Sequence, residues 1–237
     1  MADTWDTIAD WYADHVDRGS AMHQFARAVL VDVLPMDMSG QRVLDLGCGE
    51  GLITRAAASR GAEVVGVDPT VRLIERARAI EATGATGATY RVDDGCTLAT
   101  VADDWADWVT AGLSLNNVPD LNAAIASIRR ALVPGGQLAF TVPHPCFEAP
   151  HARWVGAERV IGSYSTEGFW RSANPHGVRR AGNHHRMISH YLNALIAHDF
   201  TLTMVAEPLA HPLVIAEQPQ RAALPPFLLV RASWSPG

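Results

Sequence analysis

The sequence predicts an α/β fold built on a parallel sheet, and three observations carry that prediction. An apolar run, Val43-Leu44-Asp45-Leu46, breaks into glycines at 47, 49 and 51 and gives way to Leu52-Ile53-Thr54-Arg55-Ala56-Ala57-Ala58, which reads as buried strand, tight turn and helix start. Further short apolar stretches after it alternate with segments of helical period, the pattern of strand and crossover helix. A chain of 237 residues is long enough for one such domain with a full core and too short for two comfortable ones.

In chain order, residues 4–17 place Trp5, Ile8, Ala9, Tyr12 and Val16 on one helical face. A second helix is expected from Ala21 to Leu34, stopped by Pro35, so that 4–34 forms a helical cap before the first strand. Glu63 to Asp68 reads as the second strand. Pro69 suits the first turn of a helix through Leu73, Ile74, Ala77 and Ile80, ended by the segment between Gly84 and Gly87. Thr89 to Val92 is the third strand, Trp108 to Leu113 the fourth, and a helix through Ile125, Ile128 and Leu132 leads by Pro134-Gly135-Gly136 into the fifth, Gln137 to Val142. Residues 143–186 show neither period and carry five of the ten histidines, with Trp154, Tyr164 and Trp170; so long an irregular excursion reads as a substrate lid. Ser189 suits the cap of a helix on Tyr191, Leu192, Leu195 and Ile196. Phe200 to Val205 and Phe227 to Ala232 complete the strands.

The glycine loop selects its ligand partly by what it lacks. The dinucleotide fingerprint G-x-G-x-x-G/A, started at Gly47 and Gly49, would put its third place on Leu52. Asp45 would add a carboxylate beside any bound pyrophosphate, so an anionic cofactor is disfavoured and a cationic one favoured. Asp68, 19 positions after Gly49, ends the second strand where an acid suits a ribose diol. A ribose joined to a cationic tail fits S-adenosylmethionine.

The run Val43 to Gly51 resembles the first motif of the class I S-adenosylmethionine-dependent methyltransferases, V-L-D-x-G-C-G-x-G. The similarity continues through Val67-Asp68-Pro69, Asp93-Asp94-Gly95, Ala106-Asp107-Trp108-Val109 and Leu132-Val133-Pro134-Gly135-Gly136, covering roughly residues 5–143. It implies a single Rossmann-like domain over 1–237, with a seven-stranded, mostly parallel sheet, an antiparallel last strand and helices on both faces. It also implies a cofactor site of Tyr12, Asp45, Gly47, Cys48, Gly49, Asp68, Pro69, Asp94, Gly95 and Ala111. Here the N-terminal segment folds over the cofactor, with Trp11 and Tyr12 toward the transfer site. An acid after the third strand meets the adenine amino group, Asp94 being favoured by register over Asp93. The loop after the fourth strand faces the donor methyl; Asn117 stands where many relatives have His, and a carboxamide there orients a hydroxyl or amine without charge.

Methyl transfer from a sulfonium needs positioning in a dry pocket, and a base only where the acceptor must lose a proton. His144, fixed between Pro143 and Pro145 beyond the fifth strand, is the first candidate, with His184, His185 and His190 behind it. Tyr164 and Arg186 are candidates for contact with a polar or anionic substrate. No metal is expected: the histidines lie in a loop, and the Asp-rich pattern of metal-dependent catechol methyltransferases is absent. Pro145-Cys146 resembles the proline-cysteine pair of cytosine methyltransferases, but Cys146 reads better as a buried small hydrophobe.

The expected function is methyl transfer to oxygen, nitrogen or carbon of a small molecule, releasing S-adenosylhomocysteine, by a monomer or homodimer. The rivals are an enzyme that uses the sulfonium otherwise, such as by cyclising the donor, a cofactor-binding regulatory subunit without turnover, and a nicotinamide oxidoreductase. A formal charge of −6 argues against nucleic acid. No 18-residue apolar run and no basic, apolar leader occurs, and Cys48, Cys96 and Cys146 are too few and too widely spaced for a disulfide frame, so a cytoplasmic location is expected.

Overall fold

The computed structural model describes residues 3–235. Apolar side chains alternate across the first two strands, β1 (Arg42–Leu46) and β2 (Glu63–Asp68). Leu44, Leu46, Val65 and Val67 enter one core, while Val43 and Val64 enter another on the opposite face. A sheet apolar on both faces must be covered on both. Helices α2 (Ala21–Val31), α3 (Leu52–Ala58) and α4 (Val71–Gly84) fill the second core, and α5 (Leu121–Ala131) and α6 (Ile188–Ala197) the first.

The remaining strands of the large sheet are β3 (Thr89–Val92), β4 (Ala106–Gly112), β5 (Leu132–Pro143), β10 (Phe200–Ala206) and β11 (Phe227–Trp234). The spatial order is β10-β11-β5-β4-β1-β2-β3, with every pair from β3 to β5 parallel and β11 antiparallel to both its neighbours. The predicted seven-stranded sheet with an antiparallel last strand is therefore observed. Because the strand order reverses between β1 and β4, a crevice opens at their carboxyl ends.

Several boundaries differ from expectation for local reasons. Pro134-Gly135-Gly136 does not separate helix from strand: β5 begins at Leu132 opposite Ala106 and bulges before Gln137 pairs with Trp108. Pro69 precedes the cap of α4, which is Thr70, and α6 is preceded by Met187, leaving Ser189 inside the helix. The excursion 143–186 holds two small hairpins that its composition hid, β6 (Arg153–Val155) with β7 (Glu158–Val160) and β8 (Gly168–Trp170) with β9 (Asn183–His185), plus a short 3-10 turn at Val178–Ala181. Three-residue strands are too short to show a period. A helix not anticipated, α7 (Pro212–Glu217), starts at Pro212 after His211, whose ring accepts from Leu213 N. Helix α1 (Trp5–Asp17), closed by a Thr4–Thr7 capping box, packs against α4 beside the crevice.

Candidate functional site

The loop after β1 is pinned before any ligand arrives. Gly47 N and Cys48 N both donate to Val67 O, at 2.8 and 3.0 Å, and Gly49 N donates to Asp68 Oδ2 at 3.0 Å. Asp68 Oδ1 takes Thr70 N at 2.8 Å, so this carboxylate joins the end of β2 to the glycine turn. Burial pushes the Asp68 carboxyl up, and the N–H groups of Thr70 and Gly49 pull it partly back. At Gly47, with φ +68°, a Cβ would lie 2.3 Å from that of Ser114, whose hydroxyl donates to Leu46 O. Only glycine fits between these two loops.

Around this turn lies a cavity of about 530 Å³ at the carboxyl ends of the parallel strands. One half is walled from the first three strands by Gly47, Cys48, Gly49, Asp68, Pro69, Asp94 and Gly95. Asp93 also reaches it, but its carboxylate is occupied by the N–H groups of Asp94, Ala99 and Thr100 and by the Thr100 hydroxyl. Asp94 accepts only from Cys96 N on Oδ1, and its other oxygen has no partner among the described residues. Tyr12 closes this half from above: an added Cβ on Gly49 would lie 3.9 Å from its ring, which meets Trp5 and His23 edge-on. Burial, then Glu50 and Asp68, drives the Tyr12 phenol well above its ordinary range, so it stays neutral.

The other half is built from the loop after β4 (Asn116, Asn117, Val118), Pro143, Ser172 to Gly182, and Arg221 and Phe227 near the end of the chain. His15 and His23 reach the cavity from the cap. Burial, and then His15, pushes His23 down to about 4, leaving it neutral near pH 7. Asn116 Oδ1 is buried without a partner among the described residues.

Several residues singled out from the sequence lie elsewhere. Asp45 does not line the cavity: it is 1% exposed, and its oxygens take the hydroxyls of Thr54 (2.6 Å) and Thr110 (2.9 Å), tying α3 and β4 to β1. Ala111 is a core residue behind Gly112. His144 is 2% exposed, with Nδ1 accepting from Cys146 N and Phe147 N and Nε2 held 2.8 Å from Glu207. With both nitrogens engaged outside the cavity, it has no path to an acceptor. The Tyr164 hydroxyl accepts from Ile188 N, and its ring packs on His185, whose Nε2 meets Tyr164 O. His190 pairs with Glu167, and His184 packs on Phe169; neither lines the cavity. Arg186 donates to the carbonyls of Leu115, Val118 and Pro119, shaping the loop after β4 from behind. Asn117 does line the cavity, its amide donating to Leu113 O and accepting from Asn116. Trp11 is turned away to stack on His15 and lie under Arg180. Sequence reading missed His15, His23, Asn116, His176, Arg179 and Arg221; the helical spacing of Tyr12 and His15 was the one available signal.

Among the described residues no three His, Cys, Asp or Glu side chains converge as a metal site, and no helix is long and apolar enough to cross a membrane.

Known proteins share this domain. Residues 44–140 match the family described as "Methyltransferase domain". A solved S-adenosylmethionine-dependent methyltransferase from Mesorhizobium loti is 33% identical and superposes with a TM-score of 0.73 over 91% of this chain and 99% of its own. A putative S-adenosylmethionine-dependent methyltransferase from Listeria monocytogenes, 24% identical, shares the fold with a TM-score of 0.74 over 90% of this chain and 100% of its own. The ubiquinone biosynthesis O-methyltransferase of Xanthomonas oryzae pv. oryzae is 35% identical over 125 residues, and the match spans about half of each protein, 53% of this chain and 52% of that one.

Proposed function

Because the chain belongs to the class I S-adenosylmethionine-dependent methyltransferases, we propose that its cavity binds that cofactor in the half built from β1, β2 and β3 and methylates a small acceptor held in the other half. The observation that carries this reading is Asp68, which lines the cavity while its carboxylate is braced by Gly49 N and Thr70 N. A carboxylate so fixed accepts two ribose hydroxyls without reorganising. The residues fit the cofactor in other respects. Gly47 and Gly49 leave the loop bare of side chains, Asp94 keeps an oxygen for an adenine amino group, and Pro69, Cys48 and Gly95 fill the wall between.

When bound, S-adenosylmethionine supplies a methyl group on a good leaving group, so the chain's own task is placement and exclusion of water. Tyr12 and Trp5 cover the crevice from the cap, and residues 143–186 cover the acceptor half as a lid through their stretch from Ser172 to Gly182. Asn116 and Asn117 present carboxamides at the loop that faces the acceptor, and these orient a hydroxyl or amine without holding charge. Should that group have to lose a proton, His15, His23 and His176 are the imidazoles among the described residues that line the cavity.

Calorimetry with S-adenosylhomocysteine tests the assignment. Asp68→Ala should lose about tenfold to a few hundredfold in affinity, the worth of hydrogen bonds to a charged acceptor, with the fold intact by circular dichroism. Unchanged affinity would remove Asp68, and with it the placement of the cofactor.

A further inference from the structure

Methyl transfer as described leaves one set of buried charges without a role. Glu148, in the segment after β5, is 7% exposed and lies among three guanidinium groups. Arg221 Nη1 is 2.7 Å from Oε1, Arg179 Nη2 is 2.5 Å from Oε2, and Arg159 Nη2 is 3.6 Å from Oε1. Burial alone would raise the Glu148 carboxyl, but Arg179 and Arg221 outweigh it and hold the group below its ordinary range. One carboxylate against three guanidiniums leaves a surplus of two positive charges. Arg159 stands behind, its Nε on Phe147 O and its plane over Trp154, whereas Arg179 and Arg221 line the main cavity.

From this geometry we infer that Arg179 and Arg221 form an oxyanion subsite, which receives a carboxylate or phosphate carried by the methyl acceptor. The inference rests on the methyl-transfer reading and names its substrate class. The donor count supports it. Arg221 spends Nε on Gln218 Oε1 and Nη1 on Glu148, so Nη2 has no partner among the described residues. Arg179 spends Nη1 and Nη2 on Glu148 O and Oε2, and its Nε has none. Neither atom is a buried orphan, and both residues line the cavity. The lining charges agree: the acids Glu50, Asp68, Asp93 and Asp94 come from the segments that follow β1, β2 and β3, whereas Arg179 and Arg221 come from later segments, where Glu148 and the exposed Glu217 are the acids among the described lining residues. Met22, Ala26, Val118 and Phe227 give the same cavity an apolar wall for the body of such a molecule. An acceptor anchored by its oxyanion would present a second, neutral group to Asn116 and Asn117.

Two other roles for the arginines make different predictions: a staple that only fastens the lid, and a grip on the cofactor's own carboxylate. The test is calorimetric titration of benzoate, phenyl phosphate and neutral benzyl alcohol into protein saturated with S-adenosylhomocysteine. One of the anions should bind at least about tenfold tighter than benzyl alcohol, and Arg221→Gln should weaken it by about tenfold to a hundredfold, as loss of a charged hydrogen-bonding partner does. Arg221→Lys, which keeps the charge beside Glu148 but not the planar fork, should also weaken it and guards against a Gln variant that fails to fold. S-adenosylhomocysteine affinity should stay within about twofold of wild type in both variants, less than the loss of one such bond. Equal binding of anion and alcohol, or anion binding untouched by both substitutions, would leave the arginines as a staple. Loss of S-adenosylhomocysteine affinity in the Lys variant would hand them to the cofactor; either result overturns the inference. Failure of wild type to bind S-adenosylhomocysteine would instead overturn the methyl-transfer reading, and is seen before any anion is added.

Discussion

At the scale of single residues, the site separates carboxylates and imidazoles that carry the fold from those that face a ligand. Asp45 lies outside the cavity, and Asp93, though it reaches the wall, takes four donors, whereas Asp68 takes one N–H on each oxygen and Asp94 a single N–H among the described residues, both at the cavity wall. The same division puts His144 with the residues that carry the fold, away from the cavity lining. His144→Asn should lower thermal stability by about 1–3 kcal/mol, the cost of disturbing a buried hydrogen-bonded group, while any acid limb in the pH profile of kcat/KM survives unchanged. Loss of that limb in a folded, cofactor-binding variant would restore His144 as the base. His23 makes the pH-dependent contribution. Its folded pKa lies near 4 against an ordinary 6.5, so between these values the unfolded chain binds more protons, and its contribution to stability falls as pH drops through that window. Asp45, raised to about 6 by burial, acts in the opposite sense over much of the same range and masks the effect in the wild type alone. The informative quantity is therefore the difference in melting temperature between wild type and His23→Gln, expected to shift against the wild type from pH 7 to pH 5. A difference independent of pH would show that His23 is not held neutral.

At the scale of elements, what could be read from the sequence was what repeats. Val43, Leu44, Val64 and Val65 alternate between two cores, and the helices carry regular apolar stripes, so strands, helices and the glycine turn were legible. The paired three-residue strands of the lid were not, because a period of two needs more residues to declare itself. That Asp68 and Asp94 would share one cavity wall was legible because topology alone brings strand ends together. His144 misled because the residue beyond a strand end can turn either way, and here Glu207 and two backbone N–H groups draw it out of the crevice. Arg179 and Arg221 lie 42 positions apart in irregular chain, and only folding shows that both meet Glu148. The glycine turn allows a test by steric contrast. Gly135→Ala introduces a side chain at φ +86° with nothing within 4 Å, so it should cost only the backbone strain of about 1–2 kcal/mol. Gly47→Ala, at φ +68°, adds a clash with Ser114 and must move the loop after β1 or that after β4. It should therefore lose more stability than Gly135→Ala in chemical denaturation, and lose S-adenosylhomocysteine binding as well. Equal losses would mean that the two loops part easily.

At the scale of the whole molecule, cap and lid meet each other as well as the cavity. Arg180, in the 3-10 turn of the lid, lies 4.0 Å from the centre of the Trp11 ring and 3.0 Å from the Asp3 carboxylate, and Arg171 donates to Asp3 O. The sheet beneath is fixed by its ladder and two cores, so a ligand that enters between cap and lid must part these contacts rather than bend the strands. Cation–π and ion-pair contacts at a partly exposed site contribute about 0.5–1 kcal/mol each. Arg180→Ala removes the guanidinium that makes both contacts while leaving Asp68, Asp94 and the glycine turn untouched. It should raise the dissociation rate of S-adenosylhomocysteine in stopped-flow fluorescence by about five- to thirtyfold, the range those two energies together imply when the contacts are lost from the closed state but were already absent at the barrier. Association should change little, and the equilibrium affinity should fall by the same factor as the dissociation rate rises. A dissociation rate equal to that of the wild type would show that exit does not pass between Trp11 and Arg180, and that the covers move as one body with the sheet.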